Sequence, residues 1–138
     1  LDPLHNKNFS HNLLNEIFLT FSKKIKGEKF FVQFHPTDTI KTEYNNYTIK
    51  ILKNYSSNFE IINVSLDILC LQDLELKLYG ISSSILFYCS RFGNNKAYSL
   101  GIKLARLDKK FLSHLSSFWG DISIYEKKLK ENNINIIN

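Results

Sequence analysis

Between Lys29 and Leu107 the apolar residues come in short runs broken by turn formers, recurring about every eight to twelve residues. That spacing constrains the chain more than any other feature. Residues 29–34 (KFFVQF) read as a strand ended by Pro36, with 37–42 as a turn or a second short strand. Asn45-Asn46 is a turn signal. In 47–52, Tyr47, Ile49 and Ile51 alternate with Thr48, Lys50 and Leu52, the pattern of a half-buried antiparallel strand. After a turn at 54–58, strands are expected at 59–64 and, with charged residues outward, over Leu74, Leu76 and Leu78. The run 66–71 bends or crosses between sheets, and Gly80 ends the strand that follows it. Residues 84–92 and 96–107 then read as two strands joined by a tight hairpin at Gly93-Asn94-Asn95. The sum is a mainly β fold, a small antiparallel β-barrel.

Two helical patterns flank these runs. Leu13, Leu14, Ile17, Phe18 and Phe21 recur at helical spacing after a possible cap at Ser10, and Gly27 closes a helix expected over 11–25. Asp108 is a good N-cap for a helix carrying Phe111, Leu112, Leu115, Phe118 and Trp119. Gly120 interrupts it, 122–129 continue as a second helical stretch, and the Asn-rich tail from Asn132 is expected to fray. The organisation predicted is a single domain over 1–138. It has a helical segment at 1–27, a barrel at 28–107, and a C-terminal helix at 108–131 that packs on the barrel with the N-terminal one.

Composition bounds the function. Of 138 residues 43% are hydrophobic and 14% aromatic, enough for one core. The chain lacks Met and begins with Leu1, so 1–9 is read as a loose start and the chain as a trimmed piece. The net charge of +5 comes from Lys, with Arg91 and Arg106 the sole arginines, and is read as solubilising surface. Nucleic-acid binding is not expected. The densest basic group, Lys103, Arg106, Lys109 and Lys110, reads as a solvated rim. Cys70 and Cys89 sit inside apolar runs and are read as reduced core residues, which points to the cytoplasm. No apolar run is long enough to span a membrane. His5, His11, His35 and His114 are scattered, so no metal site or cofactor is expected. His35-Pro36-Thr37-Asp38 reads as an Asx-type turn after a strand. Ser82, Ser83 and Ser84 lack the Gly-x-Ser-x-Gly elbow, and no nucleophile with its base is evident, so the chain is not read as an enzyme.

One polar break stands out in the apolar stretch 59–71, at Asn63-Val64-Ser65. It is similar to the Asp/Asn-x-Ser-x-x-Gly motif of PilZ domains, the small bacterial β-barrels that bind cyclic di-GMP. Tyr98-Ser99-Leu100-Gly101-Ile102 resembles the last strand of that family, and a helix at 108–119 follows as it does there. The resemblance spans about 28–120. It implies ligand candidates at Asn63 and Ser65, with Lys29 and Gln33 where the family has its Arg-x-x-x-Arg clamp. Both arginines here lie downstream, and Ile68 replaces the motif's last Gly. The implied function is a degenerate PilZ-like module. It would be non-catalytic and regulatory, would bind a protein partner, and would not hold cyclic di-GMP tightly on its own. The alternative is a small α/β subunit of a bacterial envelope or secretion assembly.

Overall fold

The computed structural model describes residues 11–25, 27–34, 43–72 and 74–138. The readings made for 1–9, for Ser10 as a cap and for 35–42, including His35-Pro36-Thr37-Asp38, fall outside the described residues. The chain forms two compact units, Leu1–Val64 and Ser65–Asn138.

In the first unit, α1 (His11–Ile25) buries Leu13, Leu14, Ile17, Phe18 and Phe21, the predicted stripe. Lys23 and Lys24 lie in its last turn, where cations suit the helix dipole. Two short strands, β1 (Phe30–Val32) and β2 (Phe59–Ile61), pair in parallel with Phe30 opposite Phe59, whose rings stack at 5.7 Å. Between them runs α2 (Glu43–Tyr55), packed on α1.

The antiparallel strand expected at 47–52, with its turn at Asn45-Asn46, is therefore helix. Buried Thr48, Ile51 and Leu52 and half-buried Tyr55 stand at i, i+3, i+4 and i+7, one face of a helix. Six alternating residues satisfied both periods, and the longer pattern prevailed. A parallel pair also requires a crossover, which a two-residue turn cannot supply.

The second unit is α/β as well. Its elements are α3 (Leu66–Leu71), β3 (Lys77–Gly80), α4 (Ser84–Cys89), β4 (Lys96–Ser99), α5 (Gly101–Leu107), α6 (Lys109–Trp119), α7 (Ile122–Glu131) and β5 (Asn135–Ile136). The three strands form one parallel sheet in the order β3-β4-β5, with Gly80 opposite Ser99 and Ser99 opposite Ile136. Gly80, Ala97 and Ser99 are buried, and the other face carries Tyr79 and Tyr98, half-buried and stacked at 4.7 Å. Asp108 caps α6 by accepting a hydrogen bond from Phe111 N at 2.7 Å. Phe111 and Leu115 fill the core, and Trp119 stacks on Phe87 at 4.9 Å.

The closed antiparallel barrel over 28–107 is thus overturned. Among the described residues there are seven helices, and the five strands are short and lie in two small parallel sheets. The expected strand 84–92 is α4, and the expected hairpin partner 96–107 is β4 followed by α5. Short apolar runs do not distinguish strand from buried helix by period alone. The tail from Asn132, expected to fray, turns at Asn133 with φ 56° and adds β5, burying Ile134 and Ile137 on either side of it.

Candidate functional site

The four residues proposed from the sequence do not converge. Lys29 pairs with Glu60 and lies over the Phe31 ring at 5.5 Å, so its charge is engaged at the amino end of β1. Gln33, past the other end of β1, donates from Nε2 to the Val64 carbonyl at 2.7 Å and so lies beside the 63–64 segment. Lys29 and Gln33 are four positions apart on an extended segment, about 13 Å at 3.3 Å per residue. Asn63 is exposed. Ser65, also exposed, occupies the N-cap position of α3, but its side chain makes no capping bond. Neither residue lies on a barrel strand.

The structure gathers polar groups elsewhere, at the carboxyl edge of the second unit's sheet. β3 ends at Gly80, and Ile81-Ser82-Ser83 leads directly into α4, which begins at Ser84. A Cβ on Gly80 would lie 3.2 Å from Leu86 Cδ2, so the absence of a side chain lets α4 pack close to the strand end. Ser83 is the N-cap of α4: its carbonyl accepts from Leu86 N at 3.1 Å, while its hydroxyl makes no capping bond. Ser82 and Ser83 are half-buried and Ser84 is exposed.

A fully buried polar knot fixes this loop from beneath. The Ile81 carbonyl accepts from Ser99 Oγ at 2.7 Å and Gly101 N at 3.0 Å, and Tyr125 OH approaches it at 3.4 Å. Ser99 Oγ in turn accepts from Gly101 N at 3.2 Å. Parallel pairing brings these groups together, since β3 and β4 both finish at the same edge. One loop therefore emerges from a rigid base and presents three consecutive hydroxyls at a strand-to-helix junction. Sequence reasoning singled out these serines only as a failed nucleophile elbow. The usable signal was a Gly followed by hydroxyl residues between a strand and a helix, and it depended on reading 84–89 as helix.

Elsewhere, the first unit has an open groove of about 520 Å³ lined by Ile49, Lys53, Ser57, Phe59 and Ile61. Apart from Lys53 and Ser57 it is apolar. Among the described residues no three or more His, Cys, Asp or Glu side chains are grouped to hold a metal ion, and no helix is long and apolar enough to cross a membrane. The basic group is dispersed: Arg106 faces Glu126 at 3.9 Å, and Lys109 and Lys110 are exposed. No protein-family model matches the chain, and no curated protein matches it at a significant level.

Proposed function

We propose that the 65–138 unit is a binding module for a phosphate-bearing small molecule of the nucleotide class, held at the carboxyl edge of β3 and β4 by the loop from Ile81 to Ser84. The observation that carries this reading is the junction itself: a parallel strand ending in Gly80, a run of serines, and a helix starting at once. Open α/β sheets take ligands outside the carboxyl ends of their strands, and this part of the reading is an analogy of architecture. Physical chemistry adds to it. Hydroxyls and main-chain N–H groups donate to anionic oxygens, and a loop fixed by the Ile81 carbonyl knot loses little entropy on binding. The module binds and does not itself break bonds; chemistry on the ligand belongs to residues outside this unit.

The cyclic di-GMP expectation is not carried further. It depended on a barrel that places Asn63 and Ser65 opposite a basic clamp, and the barrel is absent.

Titration of the chain with nucleoside monophosphates, pyrophosphate and inorganic phosphate, followed by amide NMR shifts, tests the proposal. Expected are saturable shifts at 81–84 for a phosphate-bearing ligand in the high-micromolar to millimolar range. Replacing Ser82, Ser83 and Ser84 together by Ala should weaken binding roughly tenfold or more. Shifts confined to other regions, or none with any of these ligands, would refute it.

The alternative expectation, a small α/β subunit of an assembly, draws on Leu107, Phe118 and Ile124, large apolar side chains that are exposed on α5, α6 and α7. Light scattering across a concentration series checks self-association through them.

A further inference from the structure

Cys70 and Cys89 are the only cysteines of the chain, stand 19 positions apart, and come from different helices. Their thiols nonetheless hydrogen-bond to one another across the packed α3–α4 contact, both being free and buried. Packing alone does not require this. A buried Cys is satisfied by any apolar neighbour, and a thiol is a weak donor. We propose that the two residues form a redox modification site, a dithiol that a low-molecular-weight disulfide converts to an intrachain disulfide tying α3 to α4.

The exchange balances in two steps. One protein thiolate attacks the small disulfide, giving a mixed disulfide and one released thiol. The second protein thiolate then attacks the bonded protein sulfur and releases the other small thiol. Two protons and two electrons leave the protein, and the small disulfide is reduced to two thiols.

The structure also indicates which element must move. Bonded sulfurs lie about 2.05 Å apart, closer than hydrogen-bonded ones, so one helix must approach the other. The lightly held partner is α3, a six-residue helix with Ile68 and Leu71 60% and 58% exposed and with no side-chain cap. Its main tether is Asn95, which donates from Nδ2 to the Cys70 carbonyl at 2.8 Å and accepts from Leu76 N at 2.9 Å. Burial pushes the Cys70 thiol up to about 12 and raises Cys89 as well, so the closed structure reacts slowly and oxidation proceeds through local opening of α3.

The test equilibrates the whole chain with a series of reduced and oxidised glutathione mixtures. Equilibrium is approached both from the folded thiol form and by refolding from urea, followed by acid quench, alkylation and mass spectrometry. Expected is a species lighter by two hydrogen atoms, unalkylated at both cysteines, with a peptide link between 70 and 89. Its exchange equilibrium constant should exceed that of the urea-unfolded chain by roughly tenfold or more, because the fold holds the sulfurs together. Asn95→Ala should speed oxidation of the folded chain without creating a different product. Persistent glutathione adducts, disulfide-linked dimers, two free thiols throughout the series, or a constant no higher than in urea would each overturn the proposal. The outcome is independent of nucleotide binding at 81–84.

Discussion

Tyr125 OH lies 3.2 Å from Ser99 Oγ, and both groups are completely buried. The single Ser99 hydroxyl proton is directed to the Ile81 carbonyl at 2.7 Å, so the phenol acts as donor towards Ser99. Tyr125→Phe leaves the Ser99–Ile81 bond in place and should cost about 1 kcal/mol. Ser99→Ala removes both a donor to Ile81 and an acceptor for Tyr125, and should cost about 2–3 kcal/mol. Urea denaturation of the two single variants and the double checks this. The double variant should cost less than the sum.

Gly101 starts α5 against the same knot, where a Cβ would sit 2.8 Å from the Ile81 carbonyl oxygen and 3.0 Å from the Tyr125 ring. The obstacle is backbone and a buried aromatic, neither of which can swing aside. Gly101→Ala should destabilise the protein by about 1–3 kcal/mol and weaken nucleotide binding at 81–84 as the loop base shifts. Denaturation and the NMR titration measure the two effects separately.

The segment around β5 offers a sharper contrast between pattern and packing. Ile137 donates its N–H to the Ser99 carbonyl at 2.9 Å and is buried, as is Ile134. Ile137→Ala should cost about 2–4 kcal/mol in a denaturant titration, whereas a frayed tail would show no change.

Acid should loosen α7. The Ser123 hydroxyl and backbone N–H both donate to Asp121 Oδ1, at 2.7 and 2.8 Å, and hold that carboxyl below the usual range. Lys130, 2.7 Å from Glu126, does the same there, with Arg106 adding less. Both folded-state values lie below the unfolded ones. The stabilisation is therefore complete above the ordinary carboxylate range, about 3.9 for Asp and 4.3 for Glu, and is lost as pH falls through the depressed values. In NMR titrations Ser123→Ala should move the Asp121 midpoint up, and Lys130→Ala should do so for Glu126.

Thr48 is buried on α2, and its hydroxyl has no hydrogen-bond partner. Thr48→Val keeps the shape and removes the unsatisfied oxygen, so it should stabilise the protein by about 1–2 kcal/mol. Thermal unfolding of the variant against the parent decides it.

Local signals that carry their own period were legible in the sequence. α1 runs for 15 residues with its apolar stripe unbroken, and α6 announces itself through the Asp108 cap, with Gly120 behind it. Elements shorter than one period were not. β1 to β5 have two to four residues each, too few to show alternation, while α4 with six reads as an apolar run. Gly93-Asn94-Asn95 does mark a turn, but turn chemistry fixes a chain reversal and not the kind of element on either side. Here it joins α4 to β4. Strand direction was also hidden, because a parallel register appears only once the intervening residues are known to be helix.

The candidate site inherited those errors. Asn63 and Ser65 were chosen because a barrel would have aimed them at Lys29 and Gln33. Ser82–Ser84 were passed over because, with 84–92 taken as strand, no strand-to-helix junction existed there. Cys70 and Cys89 were correctly placed in apolar surroundings, but no sequence rule indicates that two thiols 19 positions apart share a contact.

The late position of β5 also has a consequence for synthesis. β4 at 96–99 pairs with residues 135–136, so the Tyr98–Ser99 edge stays unpaired while the three intervening helices are made. As the chain leaves the ribosome, that edge is an open template until the final turn at Asn133 swings Ile134 and Ile137 into place. Slow translation between 100 and 134 should therefore lengthen the interval in which a chaperone or a neighbouring nascent strand can claim it.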